Sequence, residues 1–488
     1  MFDPQDLPLL EEAVTTEHTL TLEGRTLHYT ATAGNVAVRN DDGSGRVSMF
    51  YAAYSVEPAA GAPARPLTFL FNGGPGSASL WLNIGGFGPR RTPTATPHAT
   101  PPAPYTVQDN PHTLLLHSDL VFLDAPNTGY SRLIGETRED EVYGVDQDVD
   151  TFARAITRYL ELSGRWNAPR FLFGESYGTT RAAALVQRLQ NQGLDFNGVV
   201  LLSTMLNWAQ NNLGLDQEHI NLLPSLAATA WFHGRGAHQD LALEDLLTSA
   251  SEFAQGDYAR ALQMGDRLCA EEAAATAERM AGLTGLSVGE IQSHRFRIGM
   301  EPFRYALLAD EGRVVGRFDT RFVAEHQYVV GDGGADPATD DAATAGVNST
   351  HLSAFMEHLR HDLGVTTTLK YRHLHNMFIE PRWDWSHKAP AIDHPHPVPM
   401  VELDLSAALR RNPHLRVAVL GGVYDLATPY FSAEVDVSRL YLAPKLRENV
   451  RFHHYESGHM TFVDESAVAQ MSADLGAFYA EATDHQPL

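Results

Sequence analysis

Short apolar segments alternate with helical segments in the first half of the chain, and this alternation constrains the fold more than any other feature of the sequence. Apolar runs of strand length are separated by stretches in which apolar residues recur at helical spacing. The predicted order is strand 118–124, helix 145–163, strand 169–174, helix 179–193 and strand 196–204. Because strands joined through helices usually pair in parallel, the sequence predicts an α/β fold with a central, mostly parallel sheet.

The flanking segments extend this prediction at the amino-terminal side. Residues 18–55 alternate apolar and polar side chains, which predicts antiparallel strands with turns at Gly24, Gly34 and Asp42-Gly43. The apolar run at 66–71 predicts a further buried strand.

The sheet pattern stops near residue 206 and returns near residue 405. Strands are predicted again at 415–422 and 449–455, followed by helices near 432–442 and 464–481. The intervening segment is longer than ordinary loops and mainly helical in pattern. We therefore predict a core of residues 1–205 and 405–488, interrupted by an inserted cap at 206–404.

Charge and cysteine content exclude several classes of function. The 488 residues include 36 Lys and Arg against 60 Asp and Glu, a formal charge of −24. Such a balance disfavours nucleic acid and anionic membranes as partners. Cys269 is the single cysteine, which excludes an intrachain disulfide and cysteine-based zinc sites. With no signal-like start and no apolar run long enough to cross a membrane, the sequence predicts a cytoplasmic protein, although export stays open.

The sequence Gly174-Glu175-Ser176-Tyr177-Gly178 has the pattern of a nucleophile elbow. An apolar strand precedes it and an alanine-rich helix follows it, which is the context in which this pattern carries a nucleophilic serine. The alternative is that Ser176 only caps the helix. A serine hydroxyl needs a general base, and the base needs an orienting acid.

An acid and a histidine follow at the ends of the two later strands. Asp425 comes after the strand at 415–422, and His459 comes after the strand at 449–455. The order serine, acid, histidine is that of α/β hydrolases. The alternatives are a turn or capping aspartate and a hydrogen-bonded loop histidine.

A glycine-rich turn, Asn72-Gly73-Gly74-Pro75-Gly76, follows the strand at 66–71. Backbone N–H groups of such a turn can stabilise an oxyanion together with the N–H group after the nucleophile, which indicates Gly74 and Tyr177. A phosphate-binding loop is excluded because no lysine is near and Pro75 lacks an N–H group. A plain tight turn is the alternative.

Five motifs together resemble the serine carboxypeptidase family (peptidase family S10): FNGGPGSAS (71–79), LDAPNTGYS (123–131), GESYG (174–178), DLATP (425–429) and GHM (458–460). The resemblance implies an α/β-hydrolase fold with Ser176, Asp425 and His459 as catalytic residues and Gly74 and Tyr177 as oxyanion donors. It implies no metal and no organic cofactor. It further implies that Asn72, Gly73 and Glu175 bind the terminal carboxylate of the substrate.

Two positions depart from the family pattern. Ser77 stands where the family usually has a disulfide-forming cysteine, in agreement with the cysteine count. Gly86 stands where typical members carry a second glutamate that shares a proton with the first. Strict carboxypeptidase specificity is therefore open. With Gly86 in place, we expect a weaker dependence on acidic pH or a different way of binding the substrate end.

Other signals receive structural interpretations. The histidines at 351, 358 and 361 lack zinc-type spacing, and the acidic loop at 331–346 lacks the ligand pattern of an EF-hand. The tryptophans at 81, 208, 231, 383 and 385 are assigned to core packing, with a peptide pocket as the alternative. Tyr130, which follows a strand end, is a candidate for a substrate subsite.

The sequence therefore predicts a serine peptidase that cleaves peptides near the C-terminus through an acyl-enzyme on Ser176. Peptides are the expected partners, and a homodimer is left open. An esterase or acyltransferase on the same fold is one alternative. A catalytically silent binding protein is another, which the intact serine, acid and histidine disfavour.

Overall fold

The structure is a computed structural model that describes residues 11–484, apart from residues 23, 59, 60, 62, 213 and 326–340. The first ten residues and most of the acidic loop predicted at 331–346 lie outside the described residues. The strands are β1 (Ala13–Leu22), β2 (Arg25–Arg39), β3 (Gly45–Ser55), β4 (Leu67–Phe71), β5 (Arg90–Arg91), β6 (Gln108–Asp109), β7 (Asp119–Leu123), β8 (Arg132–Leu133), β9 (Arg170–Glu175), β10 (Gly198–Leu202), β11 (Arg313–Val315), β12 (Val323–Glu325), β13 (Arg416–Gly422) and β14 (Val450–Tyr455).

The α-helices cover the faces of the sheet and fill the segment between β10 and β13. They are α1 (Val145–Ser163), α2 (Tyr177–Asn191), α3 (Gln217–Phe232), α4 (Leu243–Phe253), α5 (Ala259–Met264), α6 (Ala270–Thr284), α7 (Val288–Ser293), α8 (Met300–Ala306), α9 (Ala342–Glu357), α10 (Asn376–Ile379), α11 (Glu402–Arg411), α12 (Tyr430–Ser438), α13 (Pro444–Arg447) and α14 (Glu465–Thr483).

Within the described residues, ten strands form one central sheet. Its order is β1-β2-β3-β7-β4-β9-β10-β13-β14, with β8 paired to the side of β3. The strands from β7 to β14 pair in parallel, and β1, β2 and β3 extend the sheet with antiparallel pairings. The prediction of a mostly parallel α/β sheet is confirmed. Its parallel strands place their carboxyl ends at one edge, where ligands of such sheets bind.

The predicted turn at Gly34 is wrong. Gly34 lies inside β2 and pairs with Ala13 on one side and Tyr51 on the other. A Cβ atom at Gly34 would lie 2.6 Å from the Cβ of Ala13. The glycine therefore permits close strand contact in a continuous strand, whereas the predicted turns at Gly24 and Asp42-Gly43 are present.

The helices between β10 and β13 surround an apolar cluster of their own. Leu226, Met280 and Phe303 are buried there together with Tyr424 and Phe431, which follow β13. Helix α11 packs against α2 of the core, although it begins just before the predicted boundary at 405. The extent of a separate cap at 206–404 stays a prediction. No helix of the described residues has the length and apolar character needed to cross a membrane.

Candidate active site

Ser176 occupies a sharp turn between β9 and α2. Its backbone has φ 59° and ψ −130°, a conformation that non-glycine residues rarely adopt and that often marks functional sites. The two glycines of the motif are required by close packing. A Cβ atom at Gly174 would lie 2.0 Å from the Gly178 carbonyl oxygen, and one at Gly178 would lie 2.7 Å from the Phe71 carbonyl oxygen. The half-buried Ser176 side chain is therefore held at the carboxyl edge of the sheet.

Asp425 and His459 meet behind this turn. The turn after β13 carries Asp425, the loop after β14 carries His459, and both side chains are buried. Asp425 Oδ2 lies 2.7 Å from His459 Nδ1. The N–H groups of Ala427 and Thr428 donate to Asp425 Oδ1 at 2.8 and 3.1 Å. The carboxylate is thus fixed by its own turn and holds one edge of the imidazole ring.

The other edge of the imidazole ring faces the elbow. His459 Nε2 lies 3.8 Å from Glu175 Oε1, the residue before the serine. Among the described residues, no hydrogen bond joins the Ser176 hydroxyl to His459. Such catalytic hydrogen bonds are often long before substrate binds, so this geometry is compatible with a serine–histidine pair.

The electrostatic surroundings favour a charged His459. Burial alone would lower the pKa of the ring, but the Asp425 carboxylate, aided by Glu175, raises that pKa above its ordinary value. An acid at Nδ1 stabilises the imidazolium that a general base becomes after it accepts a proton. The pair can therefore take a proton from a nearby hydroxyl.

The glycine-rich turn after β4 packs directly on the start of α2. A Cβ atom at Gly73 would lie 2.4 Å from the Tyr177 nitrogen, so only glycine fits there. Gly74 follows with φ 107°, in a region that favours glycine. The backbone segments that carry the two candidate oxyanion donors, Gly74 and Tyr177, therefore lie next to each other.

Asn72, Gly73 and Glu175 also come together. The Asn72 side-chain amide donates to Glu175 Oε2 at 2.7 Å, and the backbone of Gly73 hydrogen-bonds to the same carboxyl. Burial raises the pKa of Glu175, although His459 and these hydrogen bonds oppose the shift. The three residues form one polar wall beside His459.

Gly86 lies in the helical turn Trp81–Phe87, on the side of the buried Phe462. A Cβ atom at Gly86 would lie 3.2 Å from Phe462 Cγ. The aromatic ring therefore restricts the space into which a longer side chain at position 86 would extend.

Tyr130 does not contact Ser176, Glu175 or His459 among the described residues. Its ring packs against Phe50 and Tyr371, with ring centroids 5.3 and 4.9 Å apart. The assignment of Tyr130 to a substrate subsite therefore stays a prediction.

Three of the chain's six tryptophans lie around Tyr177. Ring centroids lie 5.4 Å apart for Tyr177 and Trp383, 6.0 Å for Tyr177 and Trp385, and 4.6 Å for Trp208 and Trp385. Trp208 and Trp385 are only half-buried. These two rings form an aromatic surface beside the elbow, so the pocket alternative fits them better than core packing.

Sequence reasoning missed a segment between β10 and β13 that contacts both the turn of Asp425 and the loop of His459. Residues 316–322 carry Phe318, whose carbonyl oxygen accepts from the His459 N–H group. The ring centroids of Phe318 and His459 lie 4.6 Å apart. Sequence reasoning also missed Ser203, whose hydroxyl donates to the His459 carbonyl oxygen at 2.6 Å. Neither residue lies in a recognisable motif, so no sequence signal could have found them.

Fold and elbow together define an α/β hydrolase. The family model described as serine carboxypeptidase matches residues 23–239 of this chain. This match supports an enzyme of the serine-type carboxypeptidase class. No group of three or more potential ligands within the described part of the chain is arranged to hold a metal ion.

One solved carboxypeptidase structure has a similar fold. The prohormone-processing carboxypeptidase Kex1 of Saccharomyces cerevisiae is 14% identical, with a TM-score of 0.56 over 92% of this chain and 91% of that chain. A proline iminopeptidase of Mycobacterium smegmatis is also 14% identical, with a TM-score of 0.34 over 96% and 98%. A comparison with curated proteins finds no match.

Proposed function

We propose that the protein hydrolyses peptides near the C-terminus through an acyl-enzyme on Ser176. The observation that carries this proposal is the buried Asp425–His459 pair, 2.7 Å apart, behind a serine held at positive φ. This arrangement is compatible with acyl transfer, because the candidate nucleophile, base and orienting acid lie on three turns at one edge of the sheet.

In the proposed reaction, His459 Nε2 takes the hydroxyl proton as Ser176 Oγ attacks the scissile carbonyl carbon. The N–H groups of Gly74 and Tyr177 stabilise the negative charge on the carbonyl oxygen. Collapse breaks the C–N bond, and His459 gives its proton to the leaving amine. Water, activated by His459, then releases the acyl group and restores Ser176.

The polar wall of Asn72, Gly73 and Glu175 supports a substrate end at this site. With its raised pKa, a protonated Glu175 can donate a hydrogen bond to a carboxylate, whereas an ionised Glu175 repels one. The net charge of −24 supports peptides rather than nucleic acid as partners.

The half-buried rings of Trp208 and Trp385 supply an apolar surface beside Tyr177. We propose that this surface accepts an aromatic or aliphatic side chain of the substrate, because such rings bury large apolar area at small entropic cost.

Mass spectrometry of products from a mixed peptide library tests the proposal. The expected result is loss of residues from the C-terminus by the wild-type protein and no loss with Ser176→Ala. Internal cleavage, or hydrolysis of esters only, would instead support an endopeptidase or the esterase alternative.

A further inference from the structure

Arg317 is an exposed cation on the cap side of the candidate active site. Its carbonyl oxygen accepts from the Leu426 N–H group at 3.1 Å, directly after Asp425. The next carbonyl oxygen, of Phe318, accepts from His459. The backbone of Arg317 is therefore fixed against both turns that carry the acid and the base.

The guanidinium group of Arg317 lies over the ring of Phe318. Its guanidinium carbon lies 5.3 Å from the centroid of the Phe318 ring, and that ring contacts His459. Among the residues that the structure describes, no carboxylate forms an ion pair with Arg317. The neighbouring Arg321, in contrast, forms ion pairs with Asp319 and Asp464.

The charge of Arg317 acts on two nearby groups. Burial and the Asp425 carboxylate dominate the pKa of His459, and Arg317 acts on that pKa in the lowering direction. Burial raises the pKa of Glu380, and Arg317 opposes that shift. Glu380 directly follows α10, whose first residue Asn376 lies against Gly76 of the glycine-rich turn.

A peptide carboxylate that enters this site meets a buried glutamate and no second acid at position 86. A free guanidinium offers the fork of N–H donors that matches a carboxylate. We propose that Arg317 recognises the free terminal carboxylate of the substrate, an inference that rests on the peptidase function proposed above. In the family pattern, a proton shared between two acids allows them to bind the substrate carboxylate. Here the positive charge of Arg317 would serve the same purpose.

Binding to a protein that cannot turn over tests this inference separately from catalysis. The probes are an N-blocked dipeptide with a free carboxylate, its amide, and an amide with glutamate as the last residue. Their affinities for Ser176→Ala and for Ser176→Ala/Arg317→Ala are measured by calorimetry. Arg447→Ala in the same background is the matched control, because Arg447 is exposed and lies in α13 before β14, away from the carboxyl edge.

We expect Arg317→Ala to weaken binding of the free acid about fivefold, the scale of an exposed ion pair, and binding of the plain amide by less than about twofold. Arg317→Lys should retain part of the preference for the acid. The preference should fall as salt rises from low to high concentration, because exposed charges are screened.

Equal losses for acid and amide, or no loss for either, would overturn the inference. A selective loss for the glutamate amide would also overturn it, since Arg317 would then recognise a side chain. Failure of wild-type hydrolysis with an intact preference for the acid would instead contradict the proposed function alone.

A pH profile on a neutral ester gives a readout that a purely structural role would not change. Because Arg317 lowers the pKa of His459, its removal should move the acid limb of kcat/KM to higher pH. An unmoved limb in a folded Arg317→Ala protein contradicts the placement of this charge beside the base.

Discussion

The carboxyl edge of the sheet and the segment between β10 and β13, which is predicted to be an inserted cap and is called the cap below, contribute to the site in different ways. The sheet edge brings Ser176, Asp425 and His459 together from three separate turns, each at the end of a parallel strand. The cap contributes contacts from residues without motifs, among them Phe318 and Trp385. In the proposed function, the edge carries the chemistry, and the segment between β10 and β13 contacts the His459 base and adds an aromatic side to the site.

This difference teaches that chemistry and specificity are encoded differently in the chain. The groups at the sheet edge are constrained by backbone turns that only certain residues can adopt, such as the glycines around Ser176. The cap residues are constrained only by what they contact. Substitutions at the edge should affect turnover strongly, and those in the cap should affect it moderately.

The largest expected effect is at the edge. Asp425→Asn should lower kcat by about 10⁴-fold with little change in KM, because the imidazole ring loses the acid that sets its tautomer. Steady-state kinetics on a blocked dipeptide measures this change. Asp393→Asn in the exposed loop after α10 is the control. A loss below about tenfold would assign the acid role to another residue.

A large effect on stability is expected inside the core. Arg181 and Asp148 form an ion pair with both side chains fully buried, and Arg181 also donates to the Asn72 carbonyl oxygen. Arg181→Met should lower the free energy of unfolding by about 3–5 kcal/mol, because an unpaired carboxylate stays buried. Urea unfolding measures this loss. The double variant Arg181→Met/Asp148→Leu should recover most of it, and an equal loss in both variants would contradict the explanation.

A moderate effect is expected where the cap contacts the base. Phe318→Ala should lower kcat about tenfold while the unfolding midpoint changes little, because the His459 ring loses one packing surface. Phe318→Leu should retain more activity. Phe452→Ala, at an exposed site on β14, is the control. Unchanged kinetics would show that the cap does not position His459.

A smaller effect concerns the pH profile. Because Asp425 and Glu175 raise the pKa of His459, kcat/KM on a neutral ester should be lost as pH falls through a value above the ordinary pKa of histidine. Glu175→Gln removes one of these charges and should move this limb to lower pH. Glu481→Gln, on the final helix, should leave it in place. A shift to higher pH would contradict the electrostatic account.

The last prediction concerns stability and not activity. It is made for His387, which hydrogen-bonds to Asp146 of α1 and Asp404 of α11. Burial favours the neutral ring, but hydrogen bonds to Asp146 and Asp404 raise the pKa of His387 to about 9. Since the folded-state pKa exceeds the unfolded value, the stabilisation is complete below about pH 6.5 and is lost as pH rises towards 9. His387→Gln should remove this part of the pH dependence in urea unfolding. An identical pH dependence in both proteins would contradict it.

The strands and helices of the sheet could be predicted from the sequence, because the spacing of apolar residues that indicates them is a property of short segments. Helix α1 begins and ends at the predicted residues, and the elbow follows its strand as expected. Gly34 was misjudged because a glycine in a strand and one in a turn look alike until the neighbouring strand is known. Phe318, Ser203 and Arg317 could not be found, because their partners are distant in sequence and chain contacts across such distances leave no periodic signal.

The most direct test of the central claim is the intact mass of the protein after reaction with an organophosphonate. The account predicts one adduct per chain on Ser176, a much slower reaction in Asp425→Asn, and none in Ser176→Ala. An unmodified wild-type protein across the pH range, or an adduct that persists in Ser176→Ala, would contradict the assignment of Ser176 as the nucleophile.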